Sequence, residues 1–137
     1  MPTALAVTDT HALLWWGDSA KQKKVGRRAR AHFQRADQEL AAIYVPTIVI
    51  AEISELVHLG RIELAVPFGV WLDALERSRN YLIADLTADV VRCANDLFAI
   101  AERGDRLIAA TAQSLNVPLM TRDQHIGATS GVELLWD

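Results

Sequence analysis

Four carboxylates in this chain of 137 residues stand where carboxylates could do chemistry. Asp9 directly follows the apolar run Leu5-Ala6-Val7. Glu52 lies inside Ile48-Val49-Ile50-Ala51-Glu52-Ile53, Asp105 opens a helix in Gly104-Asp105-Arg106-Leu107-Ile108-Ala109-Ala110-Thr111-Ala112, and Asp123 ends Pro118-Leu119-Met120-Thr121-Arg122-Asp123. Taken singly, Asp9 and Asp105 read equally well as acids at helix N-termini and Asp123 as a turn residue. Glu52 is the demanding one, because a carboxylate in an apolar segment loses hydration and needs a compensating partner. No lysine or arginine occurs between Arg35 and Arg61, so that partner is a distant cation such as Arg106 or Arg122, or a bound ion. Carboxylates that converge raise one another's pKa values, and a divalent cation relieves the repulsion. Oxygen donors without a cysteine or paired-histidine set favour magnesium or manganese over zinc. Such a site can lower the pKa of a bound water and orient it for in-line attack on a phosphodiester.

Those acids matter only if the chain folds them together. Unalternating apolar runs predict buried strands at 5–7, 41–45, 81–84, 118–120 and 132–135. Helical patterns predict helices over 20–38, from Thr47 to the stop at Gly60, from Pro67 through Phe68, Trp71, Leu72 and Leu75, and from the cap Thr87 along Val90, Val91, Ala94, Leu97 and Phe98. A further helix follows Gly104. Strands alternating with helices predict an α/β fold with a mostly parallel central sheet of four to five strands flanked by helices. In such sheets ligands bind outside the carboxyl ends of the strands, near a switch in strand order, which is where Asp9 and Asp123 fall.

Hydrophobic residues make up 51% and charged ones 23%, enough for a packed core and incompatible with disorder. The length suits one domain over residues 1–137, with no repeat or linker. One cysteine, Cys93, excludes an internal disulfide and a cysteine-based zinc site, and a buried inert thiol is expected there. The opening residues lack the basic region of a signal peptide, and no run approaches the length of a membrane span, so a cytoplasmic protein is expected. The net charge of −3 excludes a bulk polycation. Its distribution is uneven, however: Lys21, Lys23, Lys24, Arg27, Arg28, Arg30 and Arg35 place half of the 14 basic residues between positions 21 and 35. This is either a solvated helix face or a phosphate-contacting stripe.

The strings Val7-Thr8-Asp9-Thr10-His11-Ala12-Leu13-Leu14-Trp15, Ile50-Ala51-Glu52-Ile53, Gly104 to Ala112 and Pro118 to Asp123, in that order, resemble the PIN-domain ribonucleases. Among these they are most similar to the VapC-type toxins of toxin–antitoxin pairs, and the resemblance spans essentially the whole chain. It implies a single PIN-like domain and a magnesium-dependent endoribonuclease, with manganese as an alternative ion, acting on transfer RNA or other structured RNA. It also implies a homodimer, inhibited by a cognate VapB-like antitoxin. Carried over by position, Asp9, Glu52, Asp105 and Asp123 become the acidic quartet, with Asp9 and Asp105 as direct metal ligands and Glu52 and Asp123 completing the site. Thr121 becomes a catalytic accessory that holds a water or a carboxylate, and Thr10 a weaker candidate for the same task. One segment departs from the pattern. Many relatives carry His-x-Asp-Pro-x-Asp-Arg before the third acid, whereas here Ile100-Ala101-Glu102-Arg103-Gly104-Asp105-Arg106 puts Glu102 at the earlier aspartate.

Arg106 and Arg122, each beside a quartet acid, read first as orienting ion-pair partners and second as phosphate grips. The four histidines show no metal-type spacing. Trp15 and Trp16 are adjacent and cannot both face inward on one helix. Two other functions fit the same acids: a non-cutting PIN-like scaffold for RNA or protein, and a small-molecule phosphohydrolase. The basic stripe argues against the second.

Overall fold

The computed structural model describes residues 4–137, so the opening residues read for a leader lie outside it. Four strands, β1 (Ala4–Thr8), β2 (Ala41–Pro46), β3 (Tyr81–Ala84) and β4 (Leu119–Met120), form one parallel sheet in the order β3-β2-β1-β4. The two central strands bury both faces, with Ala6, Val7, Ile43 and Val45 fully enclosed, which explains their unbroken apolar sequences. Among the described residues seven α-helices flank the sheet: α1 (Thr10–Trp16), α2 (Arg27–Asp37), α3 (Thr47–His58), α4 (Phe68–Arg77), α5 (Ala88–Ala94), α6 (Arg103–Leu115) and α7 (Gln124–Ser130).

Strand order creates the crevice that matters. The chain leaves β1 for β2 on one side and returns to β4 on the other, with Val7 opposite Leu119 and Thr8 opposite Met120. The direction of winding therefore reverses at β1, and its carboxyl end and that of β4 open into one cleft.

Six expectations need correction. The helix over 20–38 is broken into a single 3-10 turn (Gln22–Lys24) and α2. The break lies at buried Val25 and Gly26, where a Cβ on Gly26 would sit 2.4 Å from the carbonyl oxygen of Trp136. That carbonyl accepts from the N–H groups of Arg28 and Ala29 at 2.9 and 3.0 Å, closing the start of α2. Thr47 is the first residue of α3 rather than its cap, and its hydroxyl accepts from Leu86 N–H at 3.0 Å. The α5 helix begins at the Thr87 cap as expected but ends at Ala94. Val90, Ala94 and Leu97 are buried, whereas Val91 and Phe98 are 53% and 64% exposed. No strand forms over 132–135. That segment brackets Leu119, which donates to Glu133 and accepts from Leu135, and α7, absent from the sequence reading, precedes it.

Finally, neither Trp15 nor Trp16 is left bare: both are half-buried. Trp16 stacks on Phe33 with centroids 5.3 Å apart and donates its Nε1–H to Asp37 at 3.0 Å. Cys93 is half-buried, packed against the core but not enclosed by it.

Candidate active site

Backbone pairing builds the site first. The N–H of Asp9 donates to the Met120 carbonyl at 3.2 Å, which extends the β1–β4 ladder by one step and puts Asp9 beside Thr121. The carboxylate of Asp9 caps α1 by accepting from Ala12 N–H at 2.8 Å. Burial raises the Asp9 pKa above its ordinary value, and Asp123 adds to this. Hydrogen bonds from Thr121 and Ala12, together with His11, act in the opposite direction. Thr121 is itself buried and also accepts from Asp123 N–H at 3.2 Å, so one hydroxyl sits between two of the acids.

Glu52 enters from the second turn of α3. Its Oε1 accepts from the Thr10 hydroxyl at 2.6 Å, and its Oε2 lies where a Cβ on Gly104 would come within 2.5 Å. Glycine at that position is what lets the first turn of α6 approach the carboxylate. Asp105 comes from the same turn. Its N–H donates to Glu102 at 2.6 Å, and Glu102 also accepts from Gly104 N–H, capping α6. Glu102 thus takes up the cap that its odd position in the motif left unexplained. Asp123, at the exposed rim, caps α7 through His125 N–H at 3.0 Å.

Three of the quartet have a local hydrogen-bond donor, and one does not. Among the described residues, nothing donates to the Asp105 carboxylate. Burial pushes its pKa up to about 6, reinforced by Glu102, Asp9, Asp123 and Glu52 in that order. The four acids expected from sequence are therefore brought together, since Asp105 feels the charge of the other three.

Compensating cations are not where the sequence suggested. Among the described residues the ion pairs are Arg28 with Glu133 at 4.0 Å and Arg92 with Asp89, and neither involves the quartet. Arg106 instead donates to the Ile100 and Ala101 carbonyls at 2.9 and 3.2 Å, with its guanidinium 4.3 Å from the Phe98 ring centroid. Arg122 lies over the Trp15 ring at 5.1 Å. The orienting ion pairs expected of both arginines are absent.

An anionic, oxygen-only group with no cation suits a hard divalent ion. Among the described residues no three of its side chains are placed to hold one ion; Asp9 and Asp123 are turned to helix caps and Glu52 to Thr10. The donor set fits such an ion in the chemistry of its atoms. Two concavities, one lined by Asn116, Val117 and Pro118 and the other by Leu5, Ala41 and Asn80, lie at the amino ends of the strands. No quartet acid lines either.

The family model described as PIN domain matches residues 6–132. The chain belongs to the PIN-domain family. This PIN-domain protein is 33% identical over 119 residues, 86% of either chain, to Ribonuclease VapC22 of Mycobacterium tuberculosis. Its fold resembles that in the crystal structure of VapBC2 from Rickettsia felis bound to a DNA fragment from their promoter, with a TM-score of 0.68 and 17% identity over 97% of this chain and 99% of that one. FitAcB from Neisseria gonorrhoeae is similar at a TM-score of 0.62 and 19% identity, covering 95% and 96% of the two chains.

Within the PIN-domain site, sequence reasoning undervalued two residues and missed a third. Thr10 is the direct partner of Glu52, Glu102 is the cap of α6, and Gly104 makes the space that Glu52 occupies. The signal for Gly104 was its position one residue before an acid at a helix start, where a missing side chain permits close approach.

Proposed function

We propose that this protein is an endoribonuclease that hydrolyses RNA phosphodiesters with a bound divalent cation, magnesium or manganese, and that a cognate antitoxin neutralises it. The observation that carries the reading is Asp105, a half-buried carboxylate with no donor among the described residues, which feels the charge of four other acids. A fold keeps such repulsion where a bound cation relieves it. Asp9 and Asp105 would hold the ion, and Glu52 and Asp123 would complete its surroundings directly or through water. When bound, the cation supplies charge neutralisation at the phosphate and a water of lowered pKa.

The chain's own residues do the positioning. Thr121, beside Asp9 at the end of the β1–β4 ladder, accepts the Asp123 N–H with its hydroxyl oxygen and so links the two strand-end acids. Thr10 holds Glu52 toward the cleft. Asp105, titrating at about 6, is mostly ionised at neutral pH and available as a ligand. Lys21, Lys23 and Lys24 on the 3-10 segment and the exposed Arg27, Arg28 and Arg35 of α2 draw the polyanion in, an attraction that falls as salt rises. Arg30 is not among them, because its guanidinium donates to the Val25 carbonyl.

The antitoxin, the homodimer and a cytoplasmic setting are part of the same proposal. The antitoxin is supported by the relatedness to Ribonuclease VapC22 and by the likeness of fold to the VapBC2 structure. No helix among the described residues is long and apolar enough to cross a membrane.

The deciding experiment incubates purified protein with total transfer RNA and, separately, with a chromogenic phosphate ester. Each is run with magnesium or with a chelator, beside Asp9→Asn. Magnesium-dependent RNA fragments that disappear in the variant support the proposal. RNA retention without cutting points to a scaffold, and turnover of the ester alone to a phosphohydrolase.

A further inference from the structure

Trp15 is the meeting point of groups from four parts of the chain. Arg122, from the loop after β4, places its Cζ 5.1 Å from the ring centroid, and Lys24, from the 3-10 turn, places its Nζ 5.7 Å away. His11, one turn earlier on α1, lies at 5.7 Å and Trp136 at 6.3 Å, so the ring is wedged in place by its neighbours. Both cations are solvent-exposed, and among the described residues neither pairs with a carboxylate.

This arrangement is unexpected for Arg122. Its chain neighbours are Thr121 and Asp123, both part of the acidic cleft, and an arginine so placed would ordinarily swing into the carboxylates and neutralise them. The electron-rich face of an indole offers a competing seat for a cation. A guanidinium held there leaves the acids free for a cation and keeps its own five N–H donors turned to solvent beside them. Lys24 brings the 3-10 turn of the basic segment to the same ring, so basic segment and acidic group meet at Trp15.

We propose that Trp15 seats Arg122 and Lys24 as a two-cation clamp on the RNA backbone at the rim of the acidic cleft. This rests on the ribonuclease reading and assigns it a substrate-binding subsite. Arg122 and Lys24 contact phosphates flanking the bond to be cut, and Trp15 is a positioning residue that acts through them. The clamp orients the strand by its phosphates and does not read its bases.

The test measures binding of a fluorescein-labelled single-stranded oligoribonucleotide of mixed sequence in the presence of a chelator, across a salt series. Wild type is compared with Arg122→Gln, Lys24→Gln, the double variant, Trp15→Leu and Trp15→Phe. Each single cation loss is expected to weaken binding about three- to tenfold and flatten the log–log salt slope by about 0.7, the value for one single-strand phosphate contact. Trp15→Leu is expected to approach the double variant, and Trp15→Phe, which keeps an aromatic face, to recover most of the affinity. With total transfer RNA and magnesium, the losses are expected in KM rather than kcat.

Unchanged affinity and salt slope in the double variant overturn the clamp, as does a Trp15→Leu protein that loses thermal stability but binds RNA like wild type. Should Trp15→Leu fail to fold, the cation variants and Trp15→Phe still decide the matter. Absence of magnesium-dependent cleavage by wild type defeats the ribonuclease reading instead, and the binding measurements remain a test of the clamp.

Discussion

Thr10 donates its hydroxyl proton to Glu52 Oε1 at 2.6 Å, joining the first residue of α1 to the second turn of α3. It is the one donor to that carboxylate among the described residues, and Thr10 is itself buried. Thr10→Val keeps the shape and removes the donor, leaving Glu52 half-buried and unsatisfied. The expected loss is about 1–3 kcal/mol in urea unfolding, with Thr10→Ser retaining most of it. Equal midpoints for the valine and serine variants would show that Glu52 does not depend on this hydroxyl.

Gly104→Ala tests the same carboxylate from the other side. A Cβ there comes within 2.5 Å of Glu52 Oε2, the mobile end of a side chain, so Glu52 moves rather than the backbone. Replacing a helical glycine by alanine gains about 1 kcal/mol of propensity, which offsets the local crowding. Cleavage is expected to fall at least about tenfold, the scale set by displacing a positioned catalytic group by an ångström or so, while the unfolding midpoint hardly moves. The pairing of Gly104→Ala with Glu52→Asp, whose shorter arm clears the methyl, is expected to recover part of the activity.

Asp105 carries a pH signature. Its pKa is about 6 in the folded chain against 3.8 unfolded, so above the folded value it opposes folding, and its contribution to stability is fully present only below 3.8. In metal-free protein, Asp105→Asn is therefore expected to raise the melting temperature at neutral pH, with the gain over wild type shrinking as pH falls through about 6 and vanishing below 3.8. Magnesium at about a hundred times its dissociation constant is expected to stabilise wild type by about 2.7 kcal/mol and the variant far less. A variant that responds fully to magnesium would remove Asp105 from the ligand set.

His32 acts in the opposite sense and far from the site. Buried in α2, with Nε2 3.0 Å from the Ala42 carbonyl, it has its pKa lowered, chiefly by burial and further by Arg35, against the pull of that hydrogen bond. The neutral ring favours the folded state. Its contribution is intact above 6.5 and is lost as acid drives the pH down through the depressed folded value. The His32→Gln protein is expected to be less stable at neutral pH and to show a shallower fall in melting temperature below 6.5.

Gly26→Ala places a methyl 2.4 Å from the Trp136 carbonyl oxygen, a backbone atom held by two N–H groups of α2. Neither side can yield cheaply, and the expected cost is about 1–3 kcal/mol, the range for overpacking. Because Trp136 also borders Trp15, RNA binding by the folded fraction is expected to weaken as well. A fully stable Gly26→Ala protein would show that the start of α2 is free to shift.

Asp9, Asp105 and Asp123 were legible in the sequence because each adjoins a recognisable strand or helix start, and Glu52 because it stands in an apolar segment with no local cation. The same logic failed for the arginines. Adjacency to an acid suggested pairing, but Arg122 and Arg106 lean on Trp15 and Phe98, rings that lie 107 and 8 positions away and whose proximity only tertiary packing creates. The break at Gly26 was hidden for a similar reason, since the Trp136 carbonyl that forces it arrives from the far end of the chain. The stretch 132–135 has strand composition but wraps around Leu119, taking one bridge on a two-residue strand. There composition described burial correctly and pairing incorrectly.

The β3-β2-β1-β4 order has a consequence for biosynthesis. A chain emerging from a ribosome can pair β1 with β2 early, but β1 acquires its other neighbour only when Leu119 and Met120 appear. Until then Asp9 has no Thr121 beside it and Asp123 does not exist. Such long-range pairing is slow to form. A nascent fragment thus holds Asp9, Glu52 and Asp105 without the strand that sets Thr121 and Asp123 beside them, so the acidic group is completed only after β4 has paired with β1.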